Sequence, residues 1–214
     1  MSKTIQQTPN TTISRLAKRA SYDVQTIHTI LDESLVCQLA FIRDQIPVSI
    51  PTGFVRINDE IYIHGSVGSS YMRQLATGQD TVCISVTHLD GLVLARSAFH
   101  HSVNYRSVVV FSKAQLVTNK TELYQALELF TEKVQPGRWA EIRKPTENEW
   151  KATMVLKFKI EEASAKIRTG PPKDDEEDYN LSVWAGIVPF KTIREEAIPD
   201  PALKQGVEKP GYLL

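Results

Sequence analysis

The stretch 89–114, LDGLVLARSAFHHSVNYRSVVVFSKA, constrains this chain more than any other. Two apolar runs, LVLA and SVVVF, have the composition of buried strands. Between them lies a polar cluster of His100, His101, Ser102, Asn104, Tyr105, Arg106 and Ser107. A plain sandwich core has no use for such a group at a strand entrance. Donors gathered on a rigid strand edge suit a planar, anionic ligand.

The hydrophobic period places elements around that cluster. Asp23 caps a short helix with Val24, Ile27, Ile30 and Leu31 on one face. Residues 35–42 and 48–57 read as strands joined by a turn at Arg43-Asp44-Gln45, and Asn58-Asp59 reads as a hairpin turn into a third strand at 60–64. A short helix follows, capped by Ser69 or Ser70, carrying Met72 and Leu75 and stopped by Gly78. Residues 81–88, 92–95 and 107–117 add β-structure, and 121–134 is helical. Thr146-x-x-Glu149 is a capping box, and 153–160 is the last long strand. Six antiparallel strands with helices as punctuation make a closed β-barrel the economical architecture, because an open sheet would expose its edges. The expected organisation is a flexible N-terminal arm at 1–20, a barrel at 21–167, and an extension at 168–214 packing on the barrel or a partner. The acidic run at 174–178 reads as a solvated loop.

Charge narrows the function classes. The 25 basic and 25 acidic side chains cancel, which argues against a nucleic-acid or membrane-surface binder. No run of about 18 apolar residues exists, so no transmembrane helix is expected. The N-terminus lacks a secretory core and reads as a mobile arm, with a transit peptide as the alternative. Cys37 and Cys83 sit in strand-like contexts without a CxxC, the pattern of reduced cysteines in a cytoplasmic protein. No metal site is expected: His64, His88, His100 and His101 lack ligand spacing.

Several residues carry a chemical reading beside a structural one. A strand running into the hydroxyl-rich segment Gly65, Ser66, Ser69, Ser70 can cradle a phosphate, with Arg73 adding charge; the alternative is a plain capped connector. Arg106 meets either a phosphate or a carboxylate such as Asp90. His100 and His101 are candidates for proton transfer, or else one is a satisfied buried histidine and the other faces solvent. Lys166 and Arg168, before the double proline, read as rim charges.

Taken in order, VSIPTGFVR, YIHGSVGSSYMRQL, LDGLVLARSAFHHSVNYRSVVVF, SAKIRTGPPKD and VWAGIVPF resemble the FMN-binding split-barrel superfamily, in the branch related to pyridoxamine 5′-phosphate oxidase and the nitroimidazole-resistance reductases. The resemblance implies a six-stranded antiparallel split barrel and a homodimer with FMN at the subunit interface. It implies that the ring lies along Ser49, Ile50, Pro51 and Thr52, that the loop after His64 holds the phosphate, and that Asn104, Tyr105, Arg106 and Ser107 complete the site. Trp184 then covers the flavin of the opposite subunit or seals the dimer core. The oxidase proper carries a lysine after its phosphate-loop serine; Tyr71 stands there in this chain.

The function expected from this is an FMN-dependent oxidoreductase acting on a small organic substrate, with NAD(P)H as a transient donor, since no GxGxxG fingerprint is present. The alternative is a flavin-nucleotide-binding carrier or sensor without turnover. Heme, which some split barrels bind, is the alternative ligand.

Overall fold

A short strand, β1 (Ala20–Ser21), leads into α1 (Val24–Asp32), whose N-terminus is capped by Asp23 accepting from the Thr26 amide at 2.8 Å. The helix turns Ile27, Ile30 and Leu31 into the core, as their spacing demands. β2 (Val36–Arg43) and β3 (Ile46–Gly53) form a hairpin whose turn residues Asp44 and Gln45 both have positive φ, the geometry that matches strand twist. The strand expected at 48–57 is broken at Phe54, a fully buried ring, and resumes as β4 (Val55–Ile57). Asn58, at φ 54°, turns the chain into β5 (Glu60–Ser66). The computed structural model describes residues 3–213.

α2 (Ser70–Leu75) buries Met72 and Leu75. β6 (Thr81–Leu94) joins both segments expected at 81–88 and 92–95 in one strand, with a bulge between Leu89 and Gly91. β7 (Ser102–Leu116) pairs with β6 along most of its length and takes in the polar residues Asn104 to Ser107 as strand, not as an entrance loop. α3 (Lys120–Val134), α4 (Arg138–Glu141) and α5 (Glu147–Ala152) follow, and the Thr146–Glu149 capping box is present. β8 (Thr153–Lys159) alternates as expected on the core side, but Val155 is buried too, because α3 covers its other face.

The fold is mainly β and antiparallel, as the sequence implies, although the described residues divide into ten strands instead of six. Three arise where none was expected. The first is β1, which pairs with the end of β9 (Glu162–Arg168). β9 itself pairs with β7 from Tyr105 to Phe111, and β10 (Gly186–Pro189) pairs with β6 from Gly91 to Leu94. β7 switches from β9 to β8 at Ala114, so it belongs to both halves of the split barrel. One core joins them, built on Leu39, Ile61, Ile63, Ile84, Leu156 and Phe158, all fully buried.

The termini also differ from expectation. The arm is tied to the barrel: Thr8 and Asn10 donate to Glu162, Tyr22 donates to the Thr11 carbonyl at 2.9 Å, and Thr11 is buried. Asp174, expected in a solvated loop, has a fully buried side chain paired with Arg96 at 3.0 Å. Burial pushes its carboxyl up, but the Arg96 side chain and amide outweigh that and hold it below the usual carboxylate range. Among the described residues no helix is long and apolar enough to cross a membrane.

Candidate functional site

β3 is the edge strand of its sheet, and its sequence keeps that edge from being zipped shut. Pro47 and Pro51 cannot donate to a ladder. Their spacing puts them, with Ser49 between, on one side of the strand, away from the side paired with β2. Ser49 is therefore the one amide donor along that stretch of open edge. In register, Ser49 lies opposite Ala40, Cys83 and Phe111, and Pro51 opposite Gln38, Ser85 and Val109. These rows form the outer face of the sheet. The residues between them, Ile50, Leu39, Ile84 and Val110, turn inward onto the core. Of the four β3 positions expected to flank a ring, Ser49 and Pro51 face outward, whereas Ile50 packs on the core and Thr52 shares its side of the strand.

The loop after β5 comes up beside this hairpin. α2 is anchored there by Gln74 donating to the Ile42 carbonyl at 2.7 Å and by Tyr71 stacking on Phe41 with centroids 5.9 Å apart. Tyr71 thus serves packing. Ser66 Oγ accepts the Gly68 amide at 3.1 Å, and Ser69 N-caps the helix without using its hydroxyl. Arg73 donates to the Val67 carbonyl at 2.9 Å and has no carboxylate partner among the described residues. The loop therefore gathers serine hydroxyls and one uncompensated cation, a donor set that fits a phosphate.

His64 lies on β5 facing away from the barrel core, edge-on to Phe130 with centroids 4.6 Å apart. Among the described residues neither ring nitrogen has a hydrogen-bond partner. Burial pulls its pKa below the usual histidine value, so it is neutral near pH 7. Next to it, Gly65 lets Met72 approach: a Cβ there would lie 3.1 Å from the methionine side chain.

The residues of β7 belong elsewhere. Arg106 does not offer its charge to a phosphate: its guanidinium grips both oxygens of Asp90 at 2.9 and 3.0 Å and also donates to Glu33. Asn104 is buried and accepts from Arg168. Tyr105 lies opposite Arg168, and Ser107 donates to the Lys166 carbonyl at 3.2 Å. Arg168 is no rim charge. It is buried and donates to the carbonyls of Gly170 and Pro171, fixing the turn after β9. Its signal in the sequence is the glycine-proline turn it precedes, which leaves carbonyls for a long donor to collect.

The two histidines sit on the turn before β7, turned toward the C-terminal extension. His100 Nε2 lies 3.2 Å from Asp175, and exposed His101 contacts the Ser97 carbonyl at 2.9 Å. Trp184 is two-thirds exposed, and its ring folds back over Gly186 of β10. The chain thus sets the loop of Ser66, Ser69, Ser70 and Arg73 beside the β2–β3 hairpin that carries Ser49 and Pro51, with His64 two residues before Ser66 on β5. It places Arg106, His100, His101 and Trp184 at the other end of the sheet.

Residues 23–167 match the family model of pyridoxamine 5′-phosphate oxidase. A structure of the flavocytochrome Anf3 from Azotobacter vinelandii is 35% identical, covers 96% of this chain and 95% of its own, and superposes with a TM-score of 0.91. The FAD and heme binding protein from Mycobacterium smegmatis is 36% identical over 91% of this chain and 95% of its own, with a TM-score of 0.86. A putative 5-nitroimidazole antibiotic resistance protein from Bacteroides thetaiotaomicron, 18% identical over 69% of this chain and 86% of its own, shares the fold at a TM-score of 0.58. The search of curated proteins found no match.

Proposed function

The chain belongs to the pyridoxamine 5′-phosphate oxidase family, and from that premise we propose that it binds a flavin nucleotide, at least the FMN portion, and works as an oxidoreductase on a small organic substrate. The observation that carries this reading is the open edge of β3 beside a loop whose cation, Arg73, has no carboxylate partner among the described residues. When bound, the flavin supplies the redox chemistry. Arg73 and the hydroxyls of Ser66, Ser69 and Ser70 hold the phosphate. The Ser49 amide, isolated between two prolines, gives one directed donor to the polar edge of the ring. Ile50, locked on the core, keeps that strand from shifting. A transient NAD(P)H donor fits a site that has no dinucleotide fingerprint of its own.

A homodimer is part of the proposal. Val36 and Ile42 on β2 and Leu89 on β6 stand about half exposed on the outer sheet face. Apolar side chains exposed along one sheet face are what a second copy would cover. The deciding experiment is anaerobic. NAD(P)H should bleach the bound flavin and an organic acceptor should restore it. Flavin that binds but stays oxidised would leave a carrier or sensor.

A second reading, heme bound alongside the flavin, is favoured by His64. The similar full-length structures are of a flavocytochrome and of a protein that binds FAD and heme. A neutral imidazole whose nitrogens have no partner among the described residues is the donor that heme iron takes. When bound, heme supplies one-electron chemistry. Phe130 packs edge-on against His64 and against Gly53, and so would fix the orientation of the imidazole.

A further inference from the structure

Between α3 and α5 lies a cleft of about 360 Å³ that the flavin reading leaves unused. Lys120, Leu123 and Tyr124 line it from α3; Glu147, Trp150 and Lys151 line it from α5. On each helix the spacing i, i+3, i+4 puts the three on one stripe, so two helix faces look at each other across the gap. The floor is aromatic. Tyr124 and Trp150 lie with centroids 5.9 Å apart and planes tilted by 31°, and Trp139 backs Tyr124 edge-on at 5.3 Å. Among the described residues Lys120 and Lys151 have no ion-pair partner. The cleft adjoins the candidate phosphate loop: α5 runs into β8, whose first residue, Thr153, pairs with Ser66, and the Ala152 carbonyl accepts the Val67 amide at 3.0 Å.

We propose that this cleft binds an adenosine monophosphate moiety. The moiety is either that half of an FAD whose flavin end sits at the neighbouring loop, which rests on the flavin reading above, or that half of a nicotinamide donor. The parts match in chemistry. A purine ring stacks on the Trp150 and Tyr124 faces, a phosphate meets the two lysines, and the Glu147 carboxylate accepts from the ring amino group or a ribose hydroxyl. The parts match in size as well. Ligand sites run from about 300 to 1,000 Å³, and a cleft near the lower bound suits one nucleoside, not a whole dinucleotide. Loss of a stacked base from an aromatic face costs roughly fivefold to 150-fold in affinity.

The test is calorimetric titration of the flavin-free full chain with AMP, adenosine, FMN, FAD and NADH. Wild-type protein should bind AMP, and Trp150→Ala should bind it at least about tenfold more weakly. Trp150→Phe, which keeps a ring, should retain most of the affinity and guards against a misfolded variant. Lys151→Gln should weaken AMP and leave adenosine unchanged. FAD should bind at least about tenfold more tightly than FMN, a margin that Trp150→Ala removes without touching FMN. If NADH shows the Trp150-dependent affinity and FAD gains nothing over FMN, the moiety belongs to the donor. AMP binding that is absent, or equal in wild type and Trp150→Ala, overturns the proposal. AMP binding without any FMN or FAD binding would keep it and sink the flavin reading instead.

Discussion

Arg106 grips Asp90 with two parallel hydrogen bonds, Nε to Oδ2 at 3.0 Å and Nη2 to Oδ1 at 2.9 Å, and its Nη1 donates to Glu33 at the end of α1. Those contacts hold its pKa above the usual arginine value. A guanidinium already holding two carboxylates has no charge to spare for a phosphate. Arg106→Ala should therefore leave flavin affinity unchanged and cost stability, about 1 kcal/mol for a partly exposed pair. Urea unfolding and flavin titration of the same variant check both halves.

That pair shows where sequence reading stops. Both Arg106 and Asp90 flank apolar strands, and either a phosphate or a carboxylate could satisfy the arginine. Only the β6–β7 register, offset by the bulge at Asp90, decides it. The same holds for β9. The alternation in EASAKIR is blurred because the core takes Ala163 and Ala165 on one face while the N-terminal arm lies along the other over Ser164, so all three are buried. Local signals were legible where the chemistry is local: the Asp23 and Thr146 caps, the positive-φ turn at Asp44 and Gln45, and the loop at Ser66 to Arg73. Pairings between distant residues, such as Arg96 with Asp174 or β10 with β6, leave no periodic mark.

Lys133 gives a pH signature. Its amine lies 3.8 Å from the centre of the Phe54 ring and donates to the Leu31 carbonyl at 3.2 Å. Burial, more than the opposing pull of Asp32, lowers its pKa to about 8 from an ordinary 10.5. Between those values the unfolded chain keeps a proton that the folded chain releases, so this group makes stability rise with pH across that window. Wild type should gain on Lys133→Met in urea midpoint from pH 8 to pH 10. Parallel profiles would contradict the assignment.

His64→Ala should abolish any Soret band formed on adding hemin to the stripped protein, while flavin binding persists. His88, whose Nε2 already contacts the Ile30 carbonyl at 2.9 Å, should tolerate alanine with the band intact. A band that survives in the His64 variant would move the iron to another ligand.

Gly91 allows the C-terminal extension to dock. A Cβ there would stand 2.6 Å from the Val188 carbonyl oxygen. Gly91→Ala should cost about 1–3 kcal/mol, the usual range for overpacking. It should also speed hydrogen exchange at the β10 amides. Unchanged protection in β10 would mean that the strand shifts without loss.

The central claim is that Arg73, beside the open edge of β3, meets the phosphate of a flavin. The most direct measurement is fluorescence-monitored titration of the stripped protein with FMN, in wild type and in Arg73→Ala. Wild type should show saturable quenching. The variant should bind about tenfold to a hundredfold more weakly, the equivalent of losing a hydrogen bond to a charged group worth about 1.5–3 kcal/mol. Equal affinity in the two proteins, or no saturable binding by wild type at large excess, would contradict the account.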